Sequence, residues 1–252
     1  ESTRKEAGGS FIKLKDGTTH YELSGPENGK PIVLVHGFSV PYFIFDPTFD
    51  FLTKAGFRVL RYDLIGRGYS DRPKTAYKID LFIRQLRDLL EALNLPQVNL
   101  LALSMGGPIT ASFIDQNPQV VDKFILIDPA GAKRVTLSLL LEAVKLPIFG
   151  ELALGLFGSG SMVKGIASDM FDPELVEHFQ AQYKIQMQYK GFKYAILSTM
   201  RNRMLESFAE TYARVGKLKK PTLLIWGKND TTVPFKNSTE ILKAIPHSEF
   251  HP

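Results

Sequence analysis

Ser104 stands in a setting that could make it a nucleophile. It lies in Ala102-Leu103-Ser104-Met105-Gly106-Gly107, with small residues two places before and two places after it. A strand that turns sharply into a helix has no room for larger side chains at those two positions, and the turn leaves the hydroxyl exposed. The pattern is Gly-x-Ser-x-Gly with Ala102 in place of the first glycine. The chemistry it points to is attack of the hydroxyl on an acyl carbon. The amide of Met105 and the positive end of the following helix face the same place, where negative charge would develop. Ser39, Ser159 and Ser161 lack the flanking small pair. The pattern's other meaning is an incidental serine in a tight strand–helix turn.

Other polar residues stand at the ends of apolar runs. His36-Gly37-Phe38 closes Ile32-Val33-Leu34-Val35, Asp63 closes Phe57–Tyr62, and Asp128 closes Phe124–Ile127. Asp230 follows Thr222–Trp226 within Trp226-Gly227-Lys228-Asn229-Asp230. Runs apolar at nearly every position read as strands buried on both faces, which means a parallel sheet. Between them lie helical stripes. Residues 80–93 carry Leu81, Ile83, Leu86, Leu89, Leu90 and Leu93 before Pro96, and a second helix is predicted from the glycines after Ser104 to Asn117-Pro118. Phe11–Lys15 and Thr19–Leu23 read as an edge hairpin. Strand and helix in alternation predict an α/β fold, with a mostly parallel, doubly wound sheet.

Residues 132–216 break that rhythm, with helical material and glycine- and proline-rich joints but no strand-like run. The expected organisation is therefore a first core part over 1–131, a helical lid over 132–216, and a second core part over 217–252. The lid is apolar, with Leu137, Leu139, Leu140, Leu141, Leu146 and Ile148 in its first stretch and Phe149, Leu152, Leu154, Leu156 and Phe157 after them. Part of this set must pack as core; the remainder predicts a pocket for a hydrophobic acyl group.

On the His-Gly, the serine elbow and the Trp-Gly-Lys-Asn-Asp segment, in this order, the chain resembles α/β-hydrolases of the single-domain esterase and lipase type. The resemblance implies an oxyanion hole from the backbone amides of Phe38 and Met105, with Asp230 as the triad acid. His36, Asp63 and Arg67 are read as loop-ordering residues, and Asp128 as a reserve acid. The family's order of serine, acid and histidine leaves only His247 and His251 after Asp230, and neither fits: His247 should lie at the wrong end of the sheet and His251 within a strand. The triad histidine is expected beyond Pro252. The implied function is hydrolysis of a carboxylic ester or related acyl bond through an acyl-Ser104 intermediate. The alternatives are a non-catalytic ligand-binding protein on the same scaffold, or a carbon–carbon bond hydrolase. Members of the last class usually carry Gly-Pro-Gly after the His-Gly, where this chain has Phe38-Ser39-Val40-Pro41.

Composition narrows the remaining classes. Across 252 residues, 44% are hydrophobic and 23% charged, ordinary for a globular chain able to bury a large core. The net charge of +5 is scattered, without the basic stripe of a nucleic-acid binder. There is no cysteine, hence no thiolate chemistry or disulfide; this fits a reducing, cytoplasmic compartment and is compatible with an oxidising one, so the location stays open. The five histidines show no paired metal-ligand spacing, and acyl transfer to water needs no cofactor. The stretch from Leu137 to Phe157 is interrupted by charges and is not expected to span a bilayer.

Overall fold

In the computed structural model, eight strands form one mixed sheet in the order β1-β2-β4-β3-β5-β6-β7-β8. The structure describes residues 4, 7–134, 142, 144–146, 148–153, 159–169 and 173–252. Strands β1 (Ser10–Leu14) and β2 (Gly17–Ser24) pair antiparallel as a hairpin, and β2 pairs antiparallel with β4 (Arg58–Tyr62). From β4 onward the sheet is parallel through β3 (Pro31–Val35), β5 (Val98–Leu103), β6 (Val121–Ile127), β7 (Thr222–Ile225) and β8 (Glu249–His251).

The period of two along the strands divides the core. Val33, Val35, Leu60, Leu100, Ala102 and Leu126 face one layer of helices. That layer holds α2 (Ile79–Ala92) and α3 (Gly106–Gln116), the helices predicted on either side of the Ser104 strand. Ile32, Leu34, Val59 and Leu101 face the other way, against Phe45 and Phe49 of α1 (Asp46–Lys54) and the turn before it. This double burial is why the central strands read as continuous apolar runs.

Between β6 and β7 the described residues are helical: α4 (Phe149–Ala153), α5 (Ser159–Asp169), α6 (Pro173–Met187), α7 (Phe192–Arg201) and α8 (Ala209–Lys217). Ile166, Phe179, Tyr183, Phe192, Ile196 and Met200 gather into a core of their own, seated on Tyr42 and Phe43 after β3. Helix α8 packs instead on α3 and on α9 (Ser238–Ala244), against the sheet. Of the apolar residues read as lid, Leu137, Leu139, Leu140, Leu141, Leu154, Leu156 and Phe157 lie outside the described residues. Among the described residues no helix is long and apolar enough to cross a membrane.

Candidate active site

Strand β5 delivers Ser104 at the end of Ala102-Leu103, and α3 starts two residues later. Ser104 has φ +53°, in the left-handed region, which costs a non-glycine residue about 1–3 kcal/mol. The surroundings hold it there. Its N–H donates to Ile127 O at 3.0 Å, and its carbonyl accepts from Gly107 N at 2.9 Å and Ala130 N at 3.0 Å. The small residues have the tasks their positions imply. Ala102 is completely buried, and a Cβ on Gly106 would run into the carbonyl oxygen of Val35 at the end of β3.

The same tight packing brings the loop after β3 against the serine. A Cβ on Gly37 would lie 3.2 Å from Ser104 Cβ and 3.6 Å from its Oγ. Buried His36 orders this loop: its Nε2 accepts from Leu64 N at 2.9 Å, so Nδ1 carries the proton and donates to Gly37 O at 3.0 Å. Burial lowers His36 to about 4, with Asp63 pulling the other way. The carbonyl of Gly37 shares its peptide with the N–H of Phe38, so His36 fixes that donor's direction.

Asp63 and Arg67 order the next loop. Burial pushes the Asp63 carboxyl upward, but His20, at 2.7 Å, and the amides of Tyr42 and Tyr69 hold it below the usual carboxylate range. Asp63 ends its strand, but His20 lies within β2 and carries no such signature in the sequence. Arg67 is fully buried. Its Nε donates to Phe38 O at 2.8 Å and one Nη to Thr199 Oγ1 at 2.9 Å.

Asp128 and Asp230 stand at the ends of β6 and β7. Asp128 is also left-handed, with φ +42°, and its N–H donates to Ile225 O at 3.0 Å. Its Oδ1 accepts from Gly227 N at 2.7 Å, tying it to the loop that carries Asp230. Burial pushes Asp128 up to about 6, the negative Asp230 adding to the shift and the Gly227 amide opposing it. Asp230 Oδ1 accepts from Thr232 N at 2.7 Å and Val233 N at 2.8 Å, while Trp226 Nε1 donates to Val233 O at 2.9 Å and pins the far side of that loop.

These groups meet at one cavity of about 570 Å3, lined by Ser104, Asp128 and Asp230 together with Phe38, Ser39 and Ile166. Lys228 is the only cationic residue among the described residues that line it. No histidine among the described residues reaches it. His247 bonds to Lys220 O at 2.9 Å, just before β7 and so at the opposite end of the strands. His251 lies on β8, exposed, with Nε2 2.7 Å from Glu249 Oε1. Both lie where the sequence puts them. The described residues contain no group of His, Cys, Asp and Glu able to hold a metal.

A family model described as Serine aminopeptidase, S33 matches residues 26–251. The chain is 27% identical to a 2-hydroxy-6-oxononadienedioate/2-hydroxy-6-oxononatrienedioate hydrolase from Cupriavidus pinatubonensis, over 98% of this chain and 88% of that protein. It is 25% identical to the AB hydrolase superfamily protein YisY of Bacillus subtilis, over 97% of this chain and 90% of that protein. Among solved structures it is similar to the enol-lactonase of Burkholderia xenovorans LB400, with TM-score 0.79 and 20% identity over 96% of this chain and 90% of that one. A meta-cleavage product hydrolase from Pseudomonas fluorescens IP01 superposes with TM-score 0.78 and 25% identity, over 96% of this chain and 88% of that one.

Proposed function

The chain belongs to the serine aminopeptidase S33 family of α/β-hydrolases, and from that premise we propose that it cleaves a neutral ester or lactone through an acyl-Ser104 intermediate. Ser104 Oγ attacks the carbonyl carbon as its proton passes to a general base. The negative oxygen of the tetrahedral intermediate takes hydrogen bonds from the N–H groups of Phe38 and Met105. Collapse breaks the bond to the leaving oxygen, which departs as the alcohol with that proton. Water then attacks the acyl group by the same route and frees Ser104. Asp230 orients and stabilises the charged base. The reading assigns the base to a histidine beyond Pro252, on the segment following β8. That strand runs parallel to β7, so its C-terminal end points toward the edge where Ser104 stands. Residues 132–216 are read as the lid, with α8 seated on the core.

The observation that carries the substrate class is the charge of the cavity. Among the described residues the lining holds two carboxylates, Asp128 and Asp230, against one lysine, together with apolar Phe38, Val40, Ile44 and Ile166. A neutral carbonyl compound with an apolar acyl group fits this lining. A dicarboxylate would meet repulsion from Asp230 and from Asp128 above its titration near 6. The second reading, hydrolysis of a carbon–carbon bond in a ring-fission product, is favoured by the names of the relatives in Cupriavidus pinatubonensis and Pseudomonas fluorescens.

The test is turnover of short- and medium-chain p-nitrophenyl esters, neutral lactones and 2-hydroxy-6-oxo-dienoates by the full-length protein and by Ser104→Ala. Ester or lactone hydrolysis that falls roughly 10⁴-fold or more in Ser104→Ala supports the reading. Faster turnover of the dienoate replaces it with the second. No turnover by either protein, with equal ligand binding, makes the chain a binding protein.

A further inference from the structure

Among the described residues no carboxylate pairs with Arg67, a buried cation. Its side chain is fully enclosed, its second Nη has no partner among the described residues, and the rings of Phe38, Tyr77 and Phe82 lie within 6 Å of its guanidinium carbon. Burial lowers Arg67 to about 10, with the like charge of Arg72 adding a smaller push in the same direction. Burying an unpaired charge is expensive, so the position calls for an explanation in what the side chain holds.

It holds two separate bodies together. One donor bonds to the carbonyl of Phe38, in the loop beside Ser104. The other bonds to the hydroxyl of Thr199 on α7, and that hydroxyl donates in turn to Ala195 O at 2.7 Å within the helix. The partners of the Thr199 hydroxyl are therefore set on both sides. Phe38 itself lies on the seam, packed against both the sheet core and the separate core of the helical segment. His36 fixes the peptide before Phe38, and Arg67 fixes the peptide after it.

We infer that Arg67 is a positioning residue that couples the docking of the helical segment to the geometry of the oxyanion loop, through Thr199 at one end and the Phe38 carbonyl at the other. When α7 is seated, the guanidinium is held and the Phe38 amide stays aimed at the place beside Ser104. When α7 shifts, the anchor on Thr199 is lost and the loop is held by His36 alone. The docking of α7 thereby controls whether the hole is formed. The role of Phe38 in this inference rests on the acyl-transfer reading.

The experiment compares Thr199→Val, Arg67→Lys, Arg67→Met and the Thr199→Val/Arg67→Met pair with the parent. It reads amide hydrogen exchange across residues 36–40, kcat and KM on a neutral ester, and thermal melting. Thr199→Val, near-isosteric and free of the acceptor, is expected to speed exchange in 36–40 and to lower kcat about three- to tenfold with KM within about twofold. Arg67→Met is expected to lose about 10- to 100-fold in kcat, Arg67→Lys to fall between, and the pair to be no worse than Arg67→Met. Unchanged exchange in Thr199→Val overturns the coupling. So does a folded Arg67→Met whose kcat is within about twofold of the parent, or additive losses in the pair. If Arg67→Met does not fold, Thr199→Val decides. If the parent hydrolyses neither ester nor lactone, the acyl-transfer reading fails while the exchange measurement still accepts or rejects the coupling.

Discussion

Replacing Gly107 by alanine puts one carbon atom where the structure has no room for it. The new Cβ would lie 2.6 Å from Tyr212 Oη, 2.7 Å from Pro129 Cβ and 3.2 Å from Pro129 Cα. Carbon atoms in contact prefer about 3.5–4.0 Å, so both Tyr212 and the Pro129 turn must give way, or the helix start must shift from both, by about 1 Å. Tyr212 is fully buried and donates to Ala130 O at 2.8 Å, so it has no easy retreat. The turn carries Asp128 on one side and, through Ala130 N, the hydrogen bond to Ser104 O on the other. Overpacking of this kind costs about 1–3 kcal/mol, and alanine's helix propensity returns up to about 1 kcal/mol at this position in α3. The net loss is about 0–3 kcal/mol, or a fall in melting temperature of up to roughly 12 °C for a chain of this size. A shift of about 1 Å beneath the nucleophile should lower kcat by about 10- to 100-fold. The assay pairs thermal melting with ester turnover for Gly107→Ala, Tyr212→Phe and the double variant. Tyr212→Phe removes the atom nearest the new methyl group, so the two changes should couple by more than about 0.5 kcal/mol. A Gly107→Ala protein with the parent's melting temperature and kcat would refute the packing argument, and so would additive effects in the double variant.

Asp230→Asn should keep its fold, because the side-chain oxygen still accepts from the amides of Thr232 and Val233, yet lose about 10³-fold or more in kcat; retained turnover would move the acid's role to Asp128. Asp128 has a folded-state pKa raised to about 6 from 3.8, so its contribution is present below pH 3.8 and lost as pH rises through 6. Asp128→Asn should therefore melt higher than the parent at pH 8, with the difference shrinking by pH 4.5, and a difference independent of pH would contradict the shift. His36 has the opposite sign, lowered to about 4 from 6.5: its contribution is present above pH 6.5 and lost as pH falls through 4. It amounts to roughly 3 kcal/mol across that window, so urea titrations of His36→Gln should show a shallower loss between pH 6.5 and 4, and an unchanged slope would count against a neutral buried imidazole.

The parts of the fold legible in the sequence are those where one local pattern has one physical solution. The β5 run into Ser104 required small residues at 102 and 106; Ala102 is fully buried in the core and Gly106 lies against the end of β3. The stripe from Leu81 to Leu90 had to face the sheet, and those residues are buried there. His36 ended its strand beside the serine and proved to be a loop anchor, as did Asp63 and Arg67. What was not legible depends on residues distant in the chain. The His20–Asp63 bond spans 43 positions and the Arg67–Thr199 bond 132, and neither partner carries a local motif for the other. The cavity likewise draws its apolar wall from Phe38, Ile44 and Ile166, which only the tertiary structure brings together.

The two buried titratable residues that frame the loop beside Ser104, His36 and Arg67, illustrate how burial assigns different work to basic groups. His36 is neutral because burial outweighs the attraction of Asp63, and only the neutral ring can accept from Leu64 while donating to Gly37. Arg67 is also fully buried, yet even at about 10 it keeps its charge at neutral pH. A lysine there would present three donors from one nitrogen and could not span Phe38 O and Thr199 Oγ1 with the rigid fork of a guanidinium. The geometry thus selects arginine by shape, and its bonded nitrogens hold the loop and the helix rather than an ion pair among the described residues. A residue serving only to fill the space between Phe38, Tyr77 and Phe82 would be better met by an apolar side chain.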